Sequence, residues 1–548
     1  MKKTTNKAVP LSCCILVRHG REDVARALMS VKTVADDIVV VGEGGDGDIE
    51  SVARAFGARF FHHPQGTIEQ RRQWSQGQCQ HDWVLHMHAD EWLGESLRRE
   101  IVSLFARGAP PKSFYCYPMV DMIYPIHEKP RLWARTHRHM RLYHRGQGQQ
   151  SAPSHPIVPR REMGHLRGLA MCRPIRDFHH AVGWGNRLSS LYAARHTSSL
   201  WLLLLRLFGQ PFFSFLRAYV WDRHCMGGLW GLSYSIMYAA YRFTCIIKLL
   251  ERQRGWAQLP QRMIDMPART EQGARKRTHK RTHRRKEGVP LSCFIIAYNE
   301  EDRIHWPLSK LCDWADDVLV VDGGSTDKTV DVARSYGVRV LSHPWHGYGE
   351  QKCFAQNACR YDWVLNLDAD EWPSDALLEE IEAVMARPEK ERAHAYAMPR
   401  LDCLSGEASP RKTARPWSIV RFYHRKMVGF NDVPFAEEVI VAQGRRIARC
   451  VHVCYHYPVR SFEHFWDKDN RTTSLIASRG KALPWLVLRL LTERHWSFFR
   501  MYGIKGGYRD GLRGYIRSNA FSFVYVLRII KKLEYRLGWL KMNGRASP

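Results

Sequence analysis

Two aspartates one residue apart, Asp368 and Asp370, close the apolar run of "VLNLDADEW" (364–372). In an extended segment residues i and i+2 project to the same side, so both carboxylates can face one ligand. Held that close they repel, unless a cation lies between them or one is protonated. A hard divalent ion, Mg²⁺ or Mn²⁺, taking a carboxylate together with diphosphate oxygens resolves the conflict. A bare pair of this kind more often caps the next helix. Here two further polar clusters, "YNEE" (298–301) and "VDGGSTD" (321–327), favour ligand chemistry. The motif recurs as "VLHMHADEW" (84–92), 368 − 88 = 280 residues earlier, with His88 in place of the first aspartate.

The elements that must position these residues are short apolar runs alternating with helical stretches. "CFIIAYN" reads as a strand with a polar end, and "DDVLVVDGGSTD" as a second strand running into a turn. "KTVDVARSYG" has helical apolar spacing and a terminal glycine, "VRVLSHP" is a third strand, and "DWVLNLDADEW" a fourth. This order predicts an α/β fold with a mainly parallel sheet covered by helices. Ligands of such sheets bind outside the carboxyl ends of the strands, where all three polar clusters lie.

The unit is written twice. At the 280-residue offset "VPLSC" (9–13) matches 289–293, "ADDIVVV" (35–41) matches "ADDVLVV" (315–321), and "RLYHR" (141–145) matches "RFYHR" (421–425). "IIKLLERQRGW" (246–256) matches "IIKKLEYRLGW" (529–539) at 283. The expected organisation is therefore one unit over 1–256, a basic linker over 257–288 and a second unit over 289–548. The 83 Lys+Arg against 54 Asp+Glu, a net +29, point to an anionic partner: nucleic acid, an acidic membrane face or a phosphorylated substrate. No helix-turn-helix, RNA-recognition signature or zinc finger accompanies that charge, which disfavours nucleic acid. No stretch supplies the ~18–20 uninterrupted apolar residues of a membrane span; the best, "LWLLLLRLF" (200–208), is broken by Arg206. The N-terminal apolar run recurs inside the chain, so it reads as a first strand rather than an export signal. Scattered cysteines suit reduced thiols in the cytosol. The aromatic and basic stretches 200–221, 483–503 and 521–539 suit helices lying in the headgroup plane of an anionic leaflet.

The runs "SCFIIAYNEEDRI", "ADDVLVVDGGSTDKTVDVARSYGVRV", "PWHGYGEQKCFAQNAC" and "DWVLNLDADEW", followed by "VRFYHR", "FAEEVIV" and "YHYPVRSFEHF", resemble in order and spacing a family 2 glycosyltransferase with the GT-A fold. Within that family they are similar to the lipopolysaccharide inner-core β-glucosyltransferase group. The resemblance implies a tandem pair of such domains and a metal-dependent inverting transfer of a hexose. The implied donor is UDP-glucose and the implied acceptor a lipopolysaccharide-core glycolipid, at the inner face of the cytoplasmic membrane. It implies that Asn299, Glu300 and Glu301 line the nucleotide pocket, that Asp322 binds the base or ribose edge and that Asp327 supports that loop. Asp368 is implied to contact ribose and metal, Asp370 to hold the metal, and His456 to bind metal or diphosphate. In "NDVPFAEEVIVAQG" Glu437 takes the position of the catalytic base, with Ala436 where relatives carry histidine; Glu438 remains an alternative.

In the first unit "YNEE" becomes "RHGR" (18–21), Asp322 becomes Gly42, Asp327 becomes Gly47 and Glu437 aligns with Ile157, while Asp90, Glu91 and Trp92 remain. Histidine brings no negative charge to a hard cation. The first unit is therefore expected to keep the fold without the catalysis, the alternative being a second active domain with a different donor.

Overall fold

The structure, a computed structural model, describes residues 9–539 except 18–20, 43–46, 64–67, 123–135, 148–161, 174, 258–288, 404–406, 408–409, 411–413, 415, 431–438, 440, 442–443 and 479–481. Nearly all of the expected linker, together with Ile157, Ala436, Glu437 and Glu438, lies outside the described residues.

Two sheets of the same topology form. The first contains β1 (Leu11–Leu16), β2 (Asp37–Gly42), β3 (Arg59–His62), β4 (Trp83–His88), β5 (Glu91–Leu93), β6 (Phe114–Asp121), β7 (Thr136–His144), β8 (Met163–His165) and β9 (Ala170–Cys172). The second contains β10 (Leu291–Ala297), β11 (Asp317–Asp322), β12 (Arg339–Ser342), β13 (Trp363–Asp368), β14 (Glu371–Pro373), β15 (Ala395–Asp402), β16 (Trp417–His424), β17 (Ile447–Arg449) and β18 (Cys454–His456). Their orders are β3-β2-β1-β4-β7-β6-β9-β5 and β12-β11-β10-β13-β16-β15-β18-β14. The first four strands of each run parallel, and β16 then adds antiparallel to β13. Each parallel half is buried on both faces, which is why β1 and β10 are apolar without alternation. Both copies also keep one buried polar tie beneath the sheet. Ser12 Oγ donates to Asp37 and Ser292 Oγ to Asp317, each at 2.8 Å, and Arg59 and Arg339 clamp the same two carboxylates.

The expected elements of the second copy form, with one difference at the site. Strand β13 ends at Asp368, so Asp370 sits in the turn before β14 rather than in the strand. The i, i+2 geometry of an extended segment does not continue through that turn.

Behind each sheet come helices that share one core. Helices Phe178–Arg195 and Gly228–Arg254 of the first copy pack with Phe462–Leu475 and Gly511–Arg536 of the second. The contact is reciprocal. The Phe178 N–H donates to Glu534 Oε1 at 3.0 Å, and its counterpart, the Phe462 N–H, donates to Glu251 Oε1 at 2.9 Å. Asn186 Nδ2 reaches the Glu463 carbonyl and Asn470 Nδ2 the His179 carbonyl, both at 2.9 Å. Each asparagine is pinned from behind by a buried lysine, Lys248 on Asn186 and Lys531 on Asn470. Phe243 packs on Phe523 and Trp230 on Trp539 across the same seam. Such mutual pairing is the signature of a two-fold interface, here between halves of one chain.

Burial pushes the Glu251 carboxyl up to about 7, against the pull of the Phe462 N–H and Lys248. The folded chain thus keeps a proton that the unfolded chain releases above about pH 4.3. This contribution to stability is complete below that value and is lost as pH rises through about 7. The midpoint of thermal unfolding should fall over that window, and Glu251→Gln, which keeps an acceptor for Phe462, should flatten the slope. Equal slopes in calorimetry of the two proteins would refute the assignment.

One helical stretch differs from expectation. Leu200–Trp221 is, among the described residues, long and apolar enough to cross a membrane. Arg206 interrupts the apolar run without ending the helix, and its guanidinium donates to Gln210 Oε1 at 2.7 Å and to the Tyr192 hydroxyl at 3.2 Å.

Candidate functional site

At the carboxyl edge of β10 and β11 two loops are tied to each other. Asn299 adopts a left-handed conformation, φ 55°, uncommon for a residue with a side chain. That conformation lets its Oδ1 accept from the Thr326 N–H at 2.8 Å while its own N–H donates to Ser325 Oγ at 2.9 Å. Glu301 accepts from the Lys328 N–H at 2.9 Å, and its N–H donates to Asp327 at 3.2 Å. Asp327 also accepts from the Thr329 N–H at 3.0 Å. The Asp322 carboxylate accepts from the Gly324 and Ser325 N–H groups, each at 3.0 Å, across a turn whose Gly324 needs φ +96°. Four of the six acids and amides expected around a nucleotide, Asn299, Glu301, Asp322 and Asp327, thus also build the loop that would hold it. Glu300 instead faces inward, bound by Arg303 at 2.7 Å and by Arg460 at 2.9 Å.

Asp368 and Asp370 share this edge but have separate partners. Asp368 is clamped between Lys352 Nζ at 2.9 Å and Arg421 Nη2 at 2.5 Å, both cations buried. Burial opposes its charge, but Arg421 and Lys352 outweigh burial and hold the carboxyl well below the usual range. Arg421 continues to Asn366 at 2.7 Å and Glu371 at 2.8 Å, and Arg400 also binds Glu371. The buried Asp370 faces His456: Oδ2 lies 3.5 Å from Nε2, with Arg303 at 3.6 Å on the other side. The other ring nitrogen of His456 is fixed by Asp402 Oδ1 at 2.8 Å. Burial alone would lower the His456 pKa, but the carboxylates of Asp370 and Asp402 raise it. The Asp370 carboxyl is likewise held low by His456 and Arg303 in spite of burial. His456 is brought here by register, since β14 pairs with β18 so that Glu371 lies opposite His456.

The first copy keeps the frame and changes the groups. The Arg173 N–H donates to the Asp90 carbonyl at 2.8 Å, as the Tyr457 N–H does to Asp370 at 2.9 Å. Arg141 binds Glu91 at 2.6 Å, in the manner of Arg421 and Glu371. Opposite Glu91, however, stands Cys172, where the second copy has His456. Asp23 aligns with Arg303, which inverts the charge; it pairs with Arg176 at 2.8 Å. His88 replaces Asp368 at the end of β4.

Lys352, Arg421, Arg303, Arg400, Arg460 and Asp402 were not singled out from sequence. A signal was present: a buried acid pair at a strand end demands cations, and the repeated "EQ" and "RFYHR" segments carry them. What the sequence lacked was the contact, which spans 53 residues between Arg421 and Asp368.

Comparison with known proteins places the site in a family. The family model for glycosyl transferase family 2 matches residues 292–451. An uncharacterized glycosyltransferase of Rickettsia bellii is 34% identical over 261 residues, 45% of this chain and 87% of that protein. The lipopolysaccharide core biosynthesis glycosyltransferase LpsC of Rhizobium meliloti is 29% identical over 258 residues, 45% of this chain and 93% of that protein. Among solved structures, Staphylococcus aureus TarS 1–349 in complex with UDP-GlcNAc has 17% identity and a TM-score of 0.27, covering 46% of this chain and 92% of that one. The chain belongs to glycosyltransferase family 2 and is a glycosyltransferase, with the family match in its second copy.

Proposed function

We propose that the second copy transfers a hexose, glucose from UDP-glucose, with inversion onto a lipopolysaccharide-core or related glycolipid, and that the first copy is degenerate. The carrying observation is the facing pair of Asp370 and His456, 3.5 Å apart, at the carboxyl edge of the sheet, with Asp370 inside the family match and His456 just beyond its end. The name of LpsC, a lipopolysaccharide core enzyme, supports the acceptor class. A lipid-borne acceptor and the +29 net charge support residence at the inner face of the cytoplasmic membrane.

The residues fit a divalent cation, Mg²⁺ or Mn²⁺. A carboxylate and an imidazole point at each other, and Asp402 orients the imidazole from behind, as carboxylates do for metal-bound histidines. Asp370 and His456 would hold the ion; Asp368, already neutralised by Lys352 and Arg421, would turn to the ribose. When bound, the cation offsets the charge that develops on the departing diphosphate. Lys352, Arg421 and Arg303 keep the surrounding field positive for the same anion. Glu437, with Glu438 as its alternative, remains the proposed base that takes the acceptor hydroxyl proton.

A thermal-shift assay on the full chain tests donor and metal together. UDP-glucose with Mn²⁺ should raise the midpoint by about 5 °C at saturating ligand, and either alone by less. No shift with any UDP-sugar and either metal would sink the donor assignment. In the same series Glu437→Gln should keep the shift and lose transfer; an unchanged kcat discards that residue as the base.

A further inference from the structure

The degenerate copy keeps a feature that its altered strand ends do not explain. Helix Leu200–Leu216, with the turn Arg217–Trp221, buries one stripe, Leu203, Leu207, Pro211 and Ser214, of which the two leucines join the shared helical core. Its opposite stripe is equally apolar and points to solvent: Trp201 is 78% exposed, Phe213 67% and Trp221 80%. The second copy repeats the arrangement in helix Leu483–Phe499 and the turn Arg500–Ile504, with Leu491, Trp496, Phe499 and Ile504 exposed. A helix apolar on all sides normally has all sides covered. Exposed aromatic area of this extent marks an interaction surface.

The two helices come together on a third, Gly511–Arg536. Phe208 of the first copy and Phe498 of the second both pack on the Tyr515 ring, with centroids 4.7 and 5.8 Å away. The charge on the surface is mainly positive, although Asp222 and Asp510 stand half-buried at the two turns. Segment 200–221 contains no acid, and the single acid of 483–504, Glu493, is buried against Arg489 and Ser497. Arg217, Arg223, Lys505 and Arg509 are exposed at the turns. Aromatic and aliphatic side chains rimmed by cations fit the headgroup boundary of an anionic leaflet.

We propose that the two copies together form one lipid-binding face, and that the first copy serves the enzyme by supplying half of it. The occupant is an anionic bilayer surface, with both helices lying in its plane. Leu200–Trp221 does not leave the protein to span the membrane, because the two leucines of its buried stripe are part of the core that joins the copies. The inference rests on the lipid-borne acceptor proposed above only for its purpose; binding to lipid is measured without any sugar transfer.

The test is co-sedimentation of the full chain with vesicles of phosphatidylcholine alone or mixed with phosphatidylglycerol. The wild type should bind the mixed vesicles and release in high salt. Trp201→Glu/Trp221→Glu in the first copy should weaken binding about a hundredfold. Trp496→Glu/Phe499→Glu in the second should do likewise, all with unchanged unfolding midpoints and unchanged nucleotide-induced shift. Because all four side chains are solvent-exposed, a single Trp221→Glu variant gives a second arm free of folding effects. Unaltered vesicle binding in the first-copy variants overturns the proposal. So does a wild-type dimer in solution that these changes convert to monomer, since a second chain would then be what covers the face. A wild type that binds the mixed vesicles but shows no nucleotide-induced shift would count against the donor site and leave the lipid face standing.

Discussion

Asp370→Asn should lower kcat for sugar transfer roughly a thousandfold while leaving the chain folded. The substitution keeps the size of the side chain and removes the charge that faces His456 and Arg303. Neither cation is then stranded: His456 keeps Asp402, and Arg303 keeps both oxygens of Glu300. The unfolding midpoint should therefore move little, which separates lost chemistry from lost structure. Asp90→Asn, the matching change in the first copy, should leave kcat within about twofold of wild type, since Cys172 and Asp23 stand where His456 and Arg303 stand in the second copy. Steady-state transfer assays on the two variants decide it. Activity within tenfold of wild type for Asp370→Asn would end the assignment of this corner, and a large loss for Asp90→Asn would make the first copy catalytic.

The second large effect is on stability. Arg421→Met should destabilise the second copy by about 3–5 kcal/mol, because it takes one cation from a buried cluster and leaves Asp368 and Glu371 with less compensation. For a unit of this size that is a fall in midpoint on the order of 10 °C. Lys352 and Arg400 would then each carry one carboxylate alone. Calorimetry reads the result. An unchanged midpoint would show that the cluster adds nothing to the fold, and that Arg421 is kept for ligand contact alone.

The architecture was readable from sequence because a repeat at constant offset reports alignment directly. "ADDIVVV" and "ADDVLVV" occupy the same place in the two sheets, as β2 and β11. The acids at the strand ends were readable for a related reason, since topology alone carries 298–301, 322–327 and 368–370 to one edge. What they touch was not. Asp368 was expected to share one ligand with Asp370, yet its partners arrive from helix Tyr348–Ala358 and from β16, both remote in sequence. Charge pairing of that range depends on register and side-chain direction, neither of which a periodicity expresses. His456 was expected, through the family resemblance, to bind metal or diphosphate; Asp402, which orients it, belongs to a different strand and had no local signal.

The mutual seam between the helices has an evolutionary consequence. What each half requires of its neighbour is a glutamate to receive a helix end, an asparagine and a buried lysine, and none of these belongs to the strand-end chemistry. Selection for companionship and selection for turnover therefore act on different positions. One twin could shed its acids to drift and still be indispensable to its sibling, which is how a lineage can retain two domains and need only one workshop.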